Sequence, residues 1–388
     1  MTWTVIGWGL CAFIGLLTIP ATLAYAFRKL PTDSNRKGPG VSAVSVSVIV
    51  AARDESRRIE TCLRSLLNSD HPSLEVVAVN DRSTDQTGAI MDRLAADDRR
   101  LRVIHIDQLP EGWLGKTNAL HQGACRTDSR FLLFTDGDIV FAPDVIRLAV
   151  EWMERRGLDH LCLVPKILPG GWFEDSLVTY FGFVFCVGLQ GWLVPTGFRY
   201  AYVGIGAFNL VRRHVWDECG GHGSIRMDLL DDVKLGKLIK QSGYRQDVLR
   251  AGDGVAVRWQ SSAWNVIRGL EKNAFATFDY SVFRLGLAML AAIALLTAPL
   301  VAVLTLSGPP SYGFAATVVL LHVLFGLVAA TSGAGLQVVP AFYPAAFATV
   351  FAFVRSAVVT LRQQGVRWRD TFYPLDELRQ GVFRGIPK

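Results

Sequence analysis

Three groups of carboxylates are the residues in this chain best suited to chemistry. Asp136-Gly137-Asp138 follows the β-forming run Phe131 to Phe134. Two carboxylates one residue apart suit a hard divalent cation, Mg2+ or Mn2+, whose charge would neutralise a diphosphate. An acidic turn accounts for the same tripeptide, because Asp-Gly pairs are common turn formers. Asp81 and Asp85 lie in Asn80-Asp81-Arg82-Ser83-Thr84-Asp85. There a carboxylate could accept hydrogen bonds from a nucleobase imide or a ribose hydroxyl, or it could cap the following helix. Asp228, Asp231 and Asp232 crowd a third segment. Neighbouring carboxylates raise one another's pKa, which suits a general base that takes a proton from a hydroxyl near neutral pH; at a helix start they also complement the helix dipole.

The elements that must position these groups follow from the patterning between about Val44 and Asp253, where short β-branched runs alternate with amphipathic stretches. Ser45 to Ala51 is an apolar strand, Arg57 to Leu67 a helix, Leu74 to Val79 a strand and Thr84 to Ala95 a helix. Arg102 to Ile106 and Phe131 to Thr135 are further strands, with Thr117 to Ala124 a helix between them. The expected fold is α/β, with a Rossmann-like, largely parallel sheet. In such sheets ligands bind beyond the carboxyl ends of the strands. Arg53-Asp54-Glu55, the Asp81 cluster and Asp136-Gly137-Asp138 each occupy such a position.

Taken in order, Ala51-Ala52-Arg53-Asp54-Glu55, Asn80-Asp81-Arg82-Ser83-Thr84-Asp85, Gly115-Lys116-Thr117-Asn118-Ala119-Leu120, Asp136-Gly137-Asp138 and Asp231-Asp232 resemble the inverting family-2 glycosyltransferases with a GT-A fold. The resemblance implies that Asp54, Asp81, Lys116 and Asp136 bind a nucleotide-sugar donor, a UDP-sugar being expected. It implies that Asp138 and Asp136 hold the metal, and that Asp232 is the catalytic base, with Asp231 as its competitor. Gly204-Ile205-Gly206-Ala207-Phe208-Asn209 is similar to the segment bordering the acceptor site, which makes Gly204, Gly206 and Asn209 the acceptor-binding candidates. Processive synthases of the family carry a QxxRW motif that this chain lacks. Pro110-Glu111-Gly112-Trp113-Leu114-Gly115-Lys116 and Gly365 to Tyr373 resemble the membrane-associated bacterial members that act in hopanoid and carotenoid biosynthesis, and a lipid or polyprenyl-type acceptor is the corresponding expectation. The alternatives are a processive polysaccharide synthase and a non-catalytic nucleotide-binding membrane scaffold.

Composition sets the rest. Half the chain is apolar, 51%, against 19% charged, and the apolar residues concentrate at the two ends. Val5 to Phe27 and Leu285 to Val354 are long enough to cross a bilayer. The first reads as an anchor rather than a signal peptide, since no basic segment precedes its apolar core. Arg28, Lys29, Arg36 and Lys37 follow it, which places the next segment in the cytoplasm. The expected organisation is an anchor over 1–27, a basic linker over 28–43, the GT-A domain over 44–259, an interface helix over 260–284, a membrane region of two or three helices over 285–358 and a basic tail over 359–388. This is a multi-pass cell-membrane protein with a cytosolic catalytic domain.

Ser176 to Phe198 is also uncharged. A single crossing there would separate Asp136 from Asp232, so it is expected to lie at the interface. Three full spans after the domain would strand the basic tail outside, so Leu336 to Val354, with Pro340 and Pro344, is expected to be re-entrant. The net charge of +6 lies partly in the juxtamembrane segments and the tail, where anionic lipid headgroups are its expected partners and nucleic acid is not. Six cysteines without CxxC spacing suggest neither zinc nor disulfides, and His105, His121, His214 and His222 have ordinary structural explanations.

Overall fold

A computed structural model describes residues 2–32 and 44–386. Arg36 and Lys37 lie outside the described residues. The chain divides into two compact units. One comprises Arg28–Lys166, Leu193–Arg258 and Gln380–Lys388; the other comprises Met1–Phe27, Ile167–Trp192 and Trp259–Arg379.

The first unit is built on a seven-stranded mixed sheet. Strand Val46–Ala52 lies between two parallel neighbours, with Ala51 opposite Asp136 on one side and Ala52 opposite Asn80 on the other. Burial on both faces explains why this strand reads as one apolar run. Strand Leu74–Asp81 pairs in turn with Leu101–Ile106, and all four strands run parallel. Their carboxyl ends therefore bring the loops after Ala52, Asp81 and Asp136 to one edge. Strand Asn209–Arg212 then inserts antiparallel between Phe131–Asp136 and His160–Val164, and Gln246–Arg250 closes the sheet. The basic segment after the first apolar helix joins this sheet: Leu30 N–H donates to the Arg250 carbonyl at 2.9 Å, and Arg28 pairs with Asp247 at 2.5 Å. Ile49, Val77, Val79, Leu120, Phe134, Trp216, Leu235 and Ile239 form the core that fixes the helices on the sheet. Each such fully buried side chain contributes about 1.5–3 kcal/mol.

The second unit is helical. Five helices are long and apolar enough to cross a membrane: Thr2–Phe27, Trp172–Leu189, Val282–Thr305, Pro309–Ser332 and Leu336–Gln363. Tyr180, Phe183, Phe325 and Phe342 interlock at the centre of this unit. A Cβ on Gly313 would overlap the Gly7 backbone, the close approach that small residues give apolar helices. The expected domain over 44–259 is thus interrupted, because residues 167–192 pack their apolar face into this helical core. The stretch expected as a basic tail over 359–388 is ordered: the helix continues to Gln363, a hairpin pairs Gly365–Trp368 with Thr371–Pro374, and a short helix spans Leu375–Gly381.

Candidate functional site

Lys116 is the centre of the site. It is the second residue of helix Gly115–Ala124, which Gly123 seats on the sheet by offering no side chain to Ile49 and Val79. Its Nζ lies 2.8 Å from Asp136 Oδ1 and 3.3 Å from Asp231 Oδ1. Asp136 ends its strand, and Asp231 and Asp232 open helix Asp231–Gln241, where the helix dipole favours negative charge. Gly206 knits the two together: its N–H donates to Asp232 Oδ2 at 2.7 Å and its carbonyl accepts from Asp136 N–H at 3.2 Å. A Cβ on Gly206 would sit 2.8 Å from Asp136 Oδ2, 3.4 Å from Asp232 Oδ2 and 3.5 Å from Lys116 Nζ. No other side chain fits among these three charged groups.

Burial drives the electrostatics. It would strip the proton from Lys116, but Asp136, Asp231 and Asp232 hold the ammonium well above its ordinary range. Burial likewise pushes the Asp231 and Asp232 carboxyls up, with Lys116 opposing the shift in both. Three carboxylates around one ammonium leave a desolvated negative excess, and such a site takes up a proton or a further cation readily.

The second acid of the Asp136-Gly137-Asp138 motif lies nearby. Burial, then Asp136 and Glu55, push Asp138 up to about 6, while Arg58 Nη1 pairs with it at 2.9 Å. Among the described residues no group of three or more His, Cys, Asp and Glu side chains is placed to hold a metal ion. The carboxylates that the sequence offers for a cation are Asp136 and Asp138, each ion-paired with a base here, Lys116 and Arg58. That donor set fits Mg2+ or Mn2+, which are commonly held by one or two carboxylates with phosphate oxygens and water completing the shell.

The loops after the first two strands form a continuous rim. Asp81 is clamped from both oxygens by Arg82, at 2.7 and 3.0 Å, and Gly115 packs on this pair so closely that a Cβ would overlap it. Asp54 Oδ1 accepts from Thr84 N–H at 2.8 Å, and Asp54 N–H donates to Ser83 Oγ at 3.1 Å, tying one loop to the next. Both Asp54 and Arg82 adopt left-handed backbone, φ 53° and 56°; non-glycine residues held there store strain of about 1–3 kcal/mol, a feature that clusters at functional sites. Asp85 acts as a local cap. Partial burial opposes its ionisation, but hydrogen bonds from Thr87 and Ser56 bring it down to about 2.

The residues read as acceptor contacts separate on inspection. Gly206 lies inside the charged cluster. Gly204 crosses the Asp232 carbonyl so closely that a Cβ would overlap it, so its place is set by main-chain packing. Asn209 is 1% exposed, bonded to His160 and, at 3.5 Å, to the Asp232 carbonyl. Its side chain is taken up by His160 and the Asp232 main chain. His222 and His160 are buried structural groups: burial takes His222 down to about 3 and His160 to about 4. Arg58 and Gly115 were not singled out in the sequence. Arg58 lies in the turn just before helix Ile59–Leu67, far in sequence from the motif it pairs with, and Gly115 acts through the absence of a side chain.

Comparison with known proteins agrees with this geometry. Residues 47–233 match the family model described as Glycosyl transferase family 2. A 4,4'-diaponeurosporenoate glycosyltransferase of Staphylococcus aureus (strain bovine RF122 / ET3-1) is 25% identical over 193 residues, 50% of each chain. Its counterpart in strain USA300 is 24% identical over the same extent. The chain spans about half the length of the curated relatives it matches. Among solved structures, a mannosyltransferase from Pyrobaculum calidifontis in complex with GDP-Man and Mn2+ shares the fold over 91% of this chain and 98% of its own, with a TM-score of 0.54 and 19% identity.

Proposed function

We propose, from the match of residues 47–233 to the glycosyl transferase family 2 model and from the GT-A fold, that this chain is a family-2 glycosyltransferase that transfers a sugar from a nucleotide diphosphate to a lipid acceptor at a membrane surface. The observation that carries the reading is the convergence of Lys116, Asp136, Asp231 and Asp232 around Gly206, fed by loops that could hold a nucleotide. Asp54 and Asp81 face the donor nucleotide, and Lys116 meets its phosphates. Asp136 and Asp138 are the residues that would hold Mg2+ or Mn2+, which when bound neutralises charge on the departing diphosphate. The crystallised mannosyltransferase binds GDP-Man with Mn2+, which supports a divalent requirement here; UDP-sugars are the first donors to test.

Asp232 takes the acceptor's proton. Its carboxyl is raised by burial yet fixed by the Gly206 and Val233 N–H groups, so it is both basic and oriented. The acceptor oxygen then attacks the anomeric carbon from the face opposite the diphosphate, and one displacement inverts the configuration. Asp231, held by Lys116, keeps the ammonium in place and is the alternative base.

A lipid acceptor is supported by the five apolar helices and by relatives named for a carotenoid acid, 4,4'-diaponeurosporenoate. The cationic surface of the helical unit supports membrane seating too. Arg268 and Arg355 lie over the Trp264 ring at 5.7 and 5.4 Å, and Lys272 over Trp368 at 4.4 Å. Such pairs suit the bilayer interface, where ring and stem sit in apolar surroundings and the charge meets anionic headgroups. We place the sheet-bearing unit on the cytoplasmic face.

The test uses membranes carrying the wild type, Asp232→Asn or Asp231→Asn, a panel of radiolabelled nucleotide sugars, and lipid extract with Mg2+ or Mn2+. Label should enter the organic phase, disappear with a chelator, and fall about a thousandfold in Asp232→Asn. A larger loss in Asp231→Asn would exchange the two roles. Label confined to water-soluble polymer would make the protein a polysaccharide synthase, and no transfer from any donor would make it a scaffold.

A further inference from the structure

Residues 381–386 run back along the helix that carries the acid pair. Lys234, Lys237 and Gln241 share one face of that helix, being spaced by three and four residues. All three take hold of the segment's main chain. Lys234 Nζ donates to the Phe383 carbonyl at 2.9 Å, Lys237 Nζ donates to the Arg384 carbonyl at 2.8 Å, and Gln241 Oε1 accepts from Ile386 N–H at 2.9 Å. Asp228 completes the grip: one oxygen accepts from Phe383 N–H at 2.8 Å and the other lies 3.6 Å from Lys234 Nζ. Phe383 and Ile386 pack onto the core beneath the sheet, and Gly381 meets Met227 where a side chain would overlap it.

Asp228 is 3% exposed and Lys234 6%. Burying a carboxylate and an ammonium costs free energy that an incidental surface contact does not require. What the pair holds is the turn Arg226–Leu230, which delivers Asp231 and Asp232. The same turn is tied at its other end to the Lys116 helix, because Leu114 N–H donates to the Arg226 carbonyl at 2.9 Å. The distances from Lys116 to Asp231 and from Gly206 to Asp232 therefore depend on where this turn sits. None of the groups that set its position belongs to the acid cluster itself.

We propose that residues 381–386 form a clasp, with Asp228 as its positioning residue, that holds the acid pair in register with Lys116; the proposal rests on the transferase reading above. Reaction geometry is sensitive to displacements of about 1 Å, which cost on the order of a hundredfold in rate. The test compares the full chain with a truncation after Gln380 and, separately, with Asp228→Asn. Turnover at saturating donor should fall by about tenfold to a hundredfold, while donor KM stays within about twofold because the nucleotide loops do not touch the clasp. The synthetic peptide Gly-Val-Phe-Arg-Gly-Ile-Pro-Lys, added to the truncated protein, should restore turnover. In parallel, amide hydrogen exchange of Asp231 to Lys234 should quicken in both variants and slow again with the peptide.

Unchanged turnover and unchanged exchange in the truncated protein would overturn the clasp. So would a loss of turnover that comes with lost donor binding and is not restored by peptide, because that pattern reports general destabilisation. Should the wild type transfer no sugar at all, the transferase reading fails, and hydrogen exchange alone still decides whether the segment holds the turn.

Discussion

The charged cluster of the sheet-bearing unit and the aromatic surface of the helical unit place positive charge differently. In the sheet-bearing unit buried cations are matched to carboxylates, as Lys116 is to Asp136 and Asp231, or Arg82 to Asp81. On the helical unit Arg268 and Arg355 lie over the half-exposed Trp264 ring, and Arg355 also pairs with Glu271. The first arrangement is preorganised but electrostatically incomplete, since its carboxylates outnumber the ammonium among them; it suits a charged ligand that arrives with a cation. The second leaves its ring half exposed. It suits a diffuse surface with apolar matter on one side and anionic groups on the other.

Breaking the first arrangement has the larger effect. Lys116→Met should leave Asp136 and Asp231 facing each other without a counter-charge, lowering kcat/KM by a hundredfold or more and destabilising the unit by about 3 kcal/mol. Steady-state kinetics and chemical denaturation measure the two losses, and a variant with near-normal values of both would show that Lys116 is not the hub of the site. The second arrangement should yield less. Trp264→Ala with Arg268→Ala should leave donor KM unaltered and weaken association with phosphatidylglycerol-containing vesicles by about 1 kcal/mol per basic group, with strong dependence on salt. Equal binding to neutral and anionic vesicles by the wild type would remove the distinction between the units.

A third, smaller effect concerns pH. His160 and His222 are buried in neutral form, with pKa values down to about 4 and about 3, whereas unfolding returns each to about 6.5. The unfolded chain then binds more protons between those limits, so stability is full above about 6.5 and falls as the pH drops toward 4. Denaturation midpoints across that window should decline, and His222→Phe should flatten the slope. A midpoint that rises on acidification would contradict the neutral assignment.

How much of this was legible in the sequence varies with the kind of signal. Asp136, Lys116 and Asp232 stood out because their order along the chain is a pattern in itself, and each lies where a strand or helix end presents it. The burial of Asn209 was not legible, because Gly204 to Asn209 was read by its likeness to a segment bordering an acceptor site. Only the antiparallel insertion of strand Asn209–Arg212 between two others turns its side chain inward toward His160. The ordering of 381–386 left no mark at all, since its partners hold main-chain atoms that every residue possesses. Trp172–Leu189 shows the opposite case. Composition marks it as a possible span, yet strands on either side of it in sequence pair directly in one sheet, His160–Val164 with Asn209–Arg212.

The ordered segment after Gln380 also constrains a parity. Residues up to Arg258 and residues from Gln380 belong to the same compact unit, so a chain that enters a bilayer between them must leave it on the side from which it came. Three apolar helices of sufficient length lie in that interval, Val282–Thr305, Pro309–Ser332 and Leu336–Gln363, and an odd number of crossings is forbidden. The third carries Arg355, paired with Glu271 at 2.8 Å, and Ser356, which accepts a hydrogen bond from Phe275 N–H at 3.0 Å. An even count couples the three helices: whichever of them crosses the bilayer, another must cross back with it.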